Sequence, residues 1–157
     1  MRLNSRKIFV SLGLIAVLLY SLLLSGCSVS MSAADALAKD FSAAVSADDF
    51  ETAASLMHPS ADIKAEDISK AVTDIESVFG IDFSDGVEFI STAGVFSRFN
   101  FNIFGGGLTK QLNVDYKITI SGTELTLSTI VIENSAGIGL TRFYVTGKAG
   151  TTQNGEI

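Results

Sequence analysis

From Ile8 to Leu24 the chain is mostly apolar without any period, after a basic start that contains Arg2, Arg6 and Lys7. Beyond Ser28 periodic segments take over. Ala34, Leu37, Ala38, Phe41, Ala44 and Val45 recur at helical spacing on one face, behind Ser32-Ala33-Ala34-Asp35, which fits a helix-starting cap. Asp48 with Glu51 three residues later starts a second, short helix, whose Phe50, Ala53, Ala54 and Met57 share a side. It stops near His58-Pro59, because proline disfavours helical geometry in the residue before it. Ile68, Ala71, Val72, Ile75 and Phe79 form a third helical stripe, ended by Gly80 as a left-handed cap.

The period then changes to two. From Val87 onward Val95, Phe99, Phe101 and Ile103 fall on one face, and Arg98, Asn100 and Asn102 on the other. Gly105-Gly106-Gly107 reads as a turn. Leu112, Val114, Tyr116, Ile118 and Ile120 alternate with Asn113, Asp115, Lys117 and Thr119, the clearest strand pattern in the chain. Ser121-Gly122-Thr123 makes a hairpin, Leu125 to Glu133 a strand, Asn134 to Gly137 a turn and Ile138 to Thr146 the last strand. Apolar residues on both parities in these strands (Leu125 and Leu127, then Ile130 and Ile132) imply a bulge or coverage of both faces. The predicted fold is α+β: three N-terminal helices packed on a curved antiparallel sheet of four to five strands, over residues 32–147, with Lys148 to Ile157 as a flexible tail.

Charge narrows the partners. The leader holds three of the eleven Lys and Arg and no acid, so the part after residue 26 has 8 basic against 17 acidic residues, a net charge of −9. Such a surface repels phosphate backbones, which argues against nucleic acid and disfavours purely electrostatic binding to a membrane. Cys27 is the single Cys and His58 the single His, so no intramolecular disulfide and no Cys- or His-based metal cluster is available, and no cofactor is implied.

The leader ends in Leu24-Ser25-Gly26-Cys27, which resembles the lipobox of bacterial lipoproteins in all four positions. The resemblance implies diacylglycerol on the Cys27 thiol, cleavage between Gly26 and Cys27, and a signal peptide of residues 1–26. One acyl chain gives marginal membrane binding and two or more a stable anchor, so Cys27 would hold the chain, with acyl groups such as palmitate, to the outer side of a membrane. Residues 27–31 then form a short tether that reaches roughly 13 Å when extended. Ser28, where an Asp commonly signals inner-membrane retention in that family, implies the outer membrane in a two-membrane bacterium. The alternative for Ile8 to Leu24 is an uncleaved transmembrane helix near the short limit of a span.

Ala47-Asp48-Asp49-Phe50-Glu51-Thr52-Ala53-Ala54-Ser55-Leu56-Met57-His58-Pro59 and the closing Gly139-Leu140-Thr141-Arg142-Phe143-Tyr144-Val145 resemble the NTF2-like, or cystatin-like, superfamily. The resemblance implies a cone between helices and sheet, where enzymatic members place carboxylates and a tyrosine in an apolar surround. Tyr116 lies on the apolar face and Asp115 on the other, so strand alternation puts no carboxylate beside Tyr116, and a core tyrosine is the simpler reading. Phe99, Phe101, Tyr116 and Phe143 are the residues that would line a pocket in the cone; as aromatics at strand spacing they equally suit a plain core. His58 reads as a capping or surface residue at a helix end. Asp82, Asp85, Gly86 and Glu88 lack the spacing of a calcium loop and read as a turn. Gly105 to Lys110 lacks the ending of a phosphate loop. The function expected is therefore a membrane-anchored, non-enzymatic envelope module that binds a protein, a small apolar ligand or a second copy of itself. A small enzyme of the same fold and a purely structural interaction protein are the competing expectations.

Overall fold

The computed structural model describes residues 29–102, 107–147 and 154–156; the lipobox, the leader, Ile103 and the Gly105-Gly106 part of the first hairpin turn lie outside them. Three helices, α1 (Met31–Ser46), α2 (Phe50–Ser55) and α3 (Ala65–Phe79), precede an antiparallel meander. Its strands are β1 (Glu88–Asn102), β2 (Gly107–Ile120), β3 (Thr123–Asn134), β4 (Gly137–Thr146) and β5 (Asn154–Glu156), in spatial order β1-β2-β3-β4-β5. The fold is α+β, with helices packed against the sheet.

Each helix starts and stops for a local reason. Ser30, not Ser32, caps α1, its hydroxyl accepting from the Ala33 N–H at 3.1 Å, so the helix begins two residues earlier than the Ser32 pattern predicts. Val29, expected in an extended tether, is buried in the core, and Met31 is already helical. Asp49 caps α2 through the Thr52 N–H at 3.0 Å, and that helix ends at Ser55, ahead of Pro59. Gly80, with φ +64°, ends α3 in the left-handed conformation that the sequence pattern anticipates.

Alternation in β2 is realised residue by residue, with Leu112, Val114, Tyr116, Ile118 and Ile120 buried and the intervening positions partly or fully exposed. Ile120 and Thr123 close the next hairpin around Ser121 and Gly122, both at positive φ (49° and 75°), the two-residue geometry that suits strand twist. The mixed parity of β3 corresponds to a register shift against β4 between Ile130 and Val131. Two further shifts interrupt β1 against β2, between Phe89 and Ser91 and between Thr92 and Gly94. Within the segment expected as a tail, Asn154–Glu156 pairs with Tyr144–Thr146 as β5, a short polar strand without apolar alternation to announce it.

The core joins the two layers. Phe41 of α1 stacks at a tilt on Phe143 of β4, ring centroids 4.4 Å apart, and both are fully buried together with Ile68, Ile75, Phe83, Ile118, Leu127 and Leu140. The segment after α2 runs beside β4: Met57 bridges Leu140 in parallel, the His58 N–H donates to the Leu140 carbonyl at 2.6 Å, and the Leu140 N–H donates to the Leu56 carbonyl at 3.0 Å. Gly139 permits that approach, because a Cβ there would meet the His58 backbone nitrogen at 2.6 Å.

Candidate functional site

Tyr116 is a buried phenol between the helices and the sheet. Strand alternation turns its ring inward, where it is almost wholly buried and meets Phe89 edge-on with centroids 5.3 Å apart. Its hydroxyl donates to the Asp35 carboxylate at 2.7 Å. Burial, followed by the hydrogen bond to Asp35 and the charge of that carboxylate, pushes the Tyr116 pKa above the usual tyrosine range. A phenol so held keeps its proton, and that proton is directed at Asp35.

The carboxylate comes from α1, which strand alternation does not reach. The signal for it is helical: Asp35 lies three residues before Ala38 and seven before Ser42, both buried, so it shares their side of the helix. As a member of an expected helix cap, Asp35 carried no hint of a sheet partner. Asp115, on the opposite face of β2 from Tyr116, flanks Gly94 instead.

The four aromatics expected around a pocket separate into two groups. Tyr116 and Phe143 both face the helices, but Phe143 is consumed by its packing on Phe41. Phe99 and Phe101 pair with Lys110 and Leu108, near the far end of the β1–β2 hairpin. Six residues of strand separate Lys110 from Tyr116, roughly 20 Å at about 3.4 Å per residue. Three surface grooves of 500–510 Å³ are lined by Ile90, Lys117 and Glu124, by Phe50, Glu66 and Lys70, and by Lys39, Ser46 and Phe89; Tyr116, Phe143 and Asp35 are in none of these walls.

His58 is buried, not on the surface, although it does cap the short 3-10 turn Pro59–Ala61. Its Nδ1 accepts from the Ser60 N–H at 3.1 Å, which leaves the Nε2–H to donate to Asn134 Oδ1 at 3.2 Å. Asn134 Oδ1 also accepts from the Ala136 N–H at 2.8 Å, so the ring ties the helical segment to the β3–β4 turn. Two of the acids of the 82–88 segment are spent on turn geometry: Asp82 accepts from the Ser84 N–H at 2.8 Å, and Asp85 accepts from the Ser121 hydroxyl at 2.6 Å, while Glu88 opens β1. Among the described residues no group of three or more His, Cys, Asp or Glu stands close enough to hold a metal ion.

Comparison with known proteins returns no match: no family model fits the chain, and no curated protein or solved structure aligns with it significantly. What the arrangement can do therefore has to come from its own chemistry, and Tyr116–Asp35 acts first as a clasp between α1 and β2.

Proposed function

We propose that the chain is an envelope lipoprotein, cut before Cys27 and held by lipid on that residue to the extracytoplasmic side of a membrane, the outer membrane where two are present. Its NTF2-like domain, a cone of helices on a curved sheet, serves as a non-enzymatic binding or interaction module. The observation that carries the reading is Val29: only two residues beyond the lipobox cysteine, it is 2 % exposed and part of the core, and Ser30 already caps α1. A core residue two positions from the proposed attachment point would hold the domain close to the bilayer.

The interior supports a scaffold more than a reaction chamber. Phe41, Phe83, Phe143, Leu127 and Leu140 are fully buried where a cone would open, and Tyr116 spends its proton on Asp35. The test is Cys27→Ser in the full precursor, which should accumulate with its leader attached and take up no labelled palmitate. Normal processing of that variant contradicts the reading.

One observation favours a second reading, a small enzyme of the same fold: Tyr116 and Asp35 are the tyrosine and carboxylate such a site would use, 2.7 Å apart. Proton transfer by this pair requires a substrate oxygen to replace one partner. Under that reading Asp35→Asn abolishes a turnover found by substrate screening; under the scaffold reading no turnover depends on it.

A further inference from the structure

The hydrogen bonds around His58 have a direction. Asn134 Oδ1 accepts from the Ala136 N–H at 2.8 Å, which turns the oxygen of that amide toward the imidazole. Nε2, 3.2 Å from the same oxygen, therefore carries the ring proton. Nδ1 is left with a bare lone pair, and the Ser60 hydroxyl lies 2.8 Å from it, closer than the Ser60 N–H at 3.1 Å. The Ser60 Oγ–H consequently donates to the imidazole. A hydroxyl on one ring nitrogen, with the other nitrogen held by a third side chain, is the arrangement that activates a nucleophilic serine.

The local fold holds these groups in place. Pro59, with its ring-fixed φ, stands between the two residues, and the Ala61 N–H donates to the His58 carbonyl at 2.8 Å. The resulting 3-10 turn brings side chains two positions apart together. Behind the ring, the His58 N–H is bonded to the Leu140 carbonyl of β4. The imidazole is 1 % exposed, so water does not compete for Nδ1, whereas Ser60 lies at the surface, within reach of a reagent. Other serines have weaker partners. Ser42 and Ser55 donate to the carbonyls of Ala38 and Thr52, and Ser121 donates to the Asp85 carboxylate; a carboxylate is a far weaker base than imidazole.

We propose that Ser60 is a nucleophile, with His58 as its general base and Asn134 as the positioning residue, and that it takes an acyl group from aryl esters and thioesters. Ser60 Oγ bonds to the acyl carbon while the bond from that carbon to the leaving group breaks. The leaving group departs with the electron pair as phenolate or thiolate, and the hydroxyl proton passes to His58 Nδ1 and from there to solvent. The donor class follows from what surrounds the hydroxyl. The Ala61 N–H, the next backbone donor after Ser60, is committed to the His58 carbonyl and is not free to stabilise an oxyanion. Activation therefore rests on the base, which favours donors whose leaving group departs readily. For the same reason the acyl-serine, with its poor alkoxide leaving group, persists. One acyl group per chain accumulates, which fits a domain without turnover, and the inference does not depend on lipid at Cys27.

The test uses the full chain, produced with its leader and extracted in mild detergent, with any free Cys27 thiol first blocked by iodoacetamide. The probe is p-nitrophenyl acetate at neutral pH. Acetylation is timed by mass spectrometry, with fragment ions locating the acetyl group. Ser55 and Ser121 are the internal references, and the same chain unfolded in urea is the control for intrinsic reactivity. His58→Asn keeps a side-chain oxygen that can accept from the Ser60 N–H but removes the base. Asn134→Asp keeps an oxygen for both of its donors and adds a negative charge behind Nε2–H, which stabilises the imidazolium formed in the step.

The expected result is that Ser60 of the folded wild type is acetylated about 100-fold or more faster than Ser55 or Ser121, an advantage lost in urea. Asn134→Asp raises the rate at Ser60, and His58→Asn lowers it by about 100-fold or more. Acetylation of Ser60 no faster than that of the two references overturns the proposal. So does an equal rate in urea, or an unchanged rate in a His58→Asn chain that keeps its cooperative thermal transition. Were that variant to unfold, Asn134→Asp against wild type decides: a rate unchanged or lowered means that the imidazole only caps the turn.

Discussion

Val114, Tyr116, Ile118 and Ile120 of β2 disappear beneath the helices, while on the adjoining strand Val95, the direct partner of Val114, stands largely in solvent with Phe96 beside it. Val95 follows the same period of two as the β2 residues and shares the face of its partner Val114, whereas Phe96, the next residue, falls on the opposite face; both strands are long and antiparallel. What separates them is the reach of the helical layer and the position of β1 at the edge of the sheet. Alternation assigns a side chain to a face; whether anything covers that face is decided by residues distant in sequence.

The covered half should be the fragile one. Truncating Phe143→Ala removes the ring that packs on Phe41 and should cost about 3–5 kcal/mol in chemical denaturation. A cost under about 1 kcal/mol would mean that the contact of the two rings is not part of a rigid core. Gly139→Ala drives a Cβ into the backbone of His58, where no rotamer change relieves it, and should cost about 1–3 kcal/mol by the same measurement.

Tyr116→Phe is milder, because Asp35 remains partly exposed and can be hydrated in place of its lost donor. A loss of about 1 kcal/mol at neutral pH is expected. The variant also isolates a pH dependence. Folding raises the pKa of Tyr116, so its contribution is complete below the unfolded-state value of about 10, and declines above it as the unfolded chain ionises first. Wild type should therefore lose stability above about pH 10 more steeply than Tyr116→Phe; parallel curves would mean that the clasp does not hold the proton. At the small end, Phe96→Asp should change stability by no more than about 0.5 kcal/mol, since that ring is 58 % exposed. A loss as large as that of Phe143→Ala would erase the distinction between the two regions.

How far the sequence revealed this arrangement depends on the range of the interaction. Local signals were readable: the Gly80 terminator, the stop before Pro59, the Ser121-Gly122 hairpin and the β2 alternation each depend on a few adjacent residues. The start of α1 was misplaced because Ser30 and Ser32 are both suitable caps, and only the burial of Val29 selects the earlier one. Non-local partners were not readable. Asp35 meets Tyr116 across 81 residues and His58 meets Asn134 across 76, through contacts that no period in either segment encodes. Phe99 and Phe101 share a predicted face with Val95, but that pattern carries no information on where the helices end.

Lipid on Cys27 is the point on which the functional account turns, and the intact mass of the chain recovered from membranes tests it most directly. The account predicts a polypeptide that begins at Cys27, lacks residues 1–26 and carries the added mass of a diacylglycerol and an amide-linked or free N-terminus. A mass equal to the unmodified precursor, or to a chain cut elsewhere with a bare thiol, would contradict it.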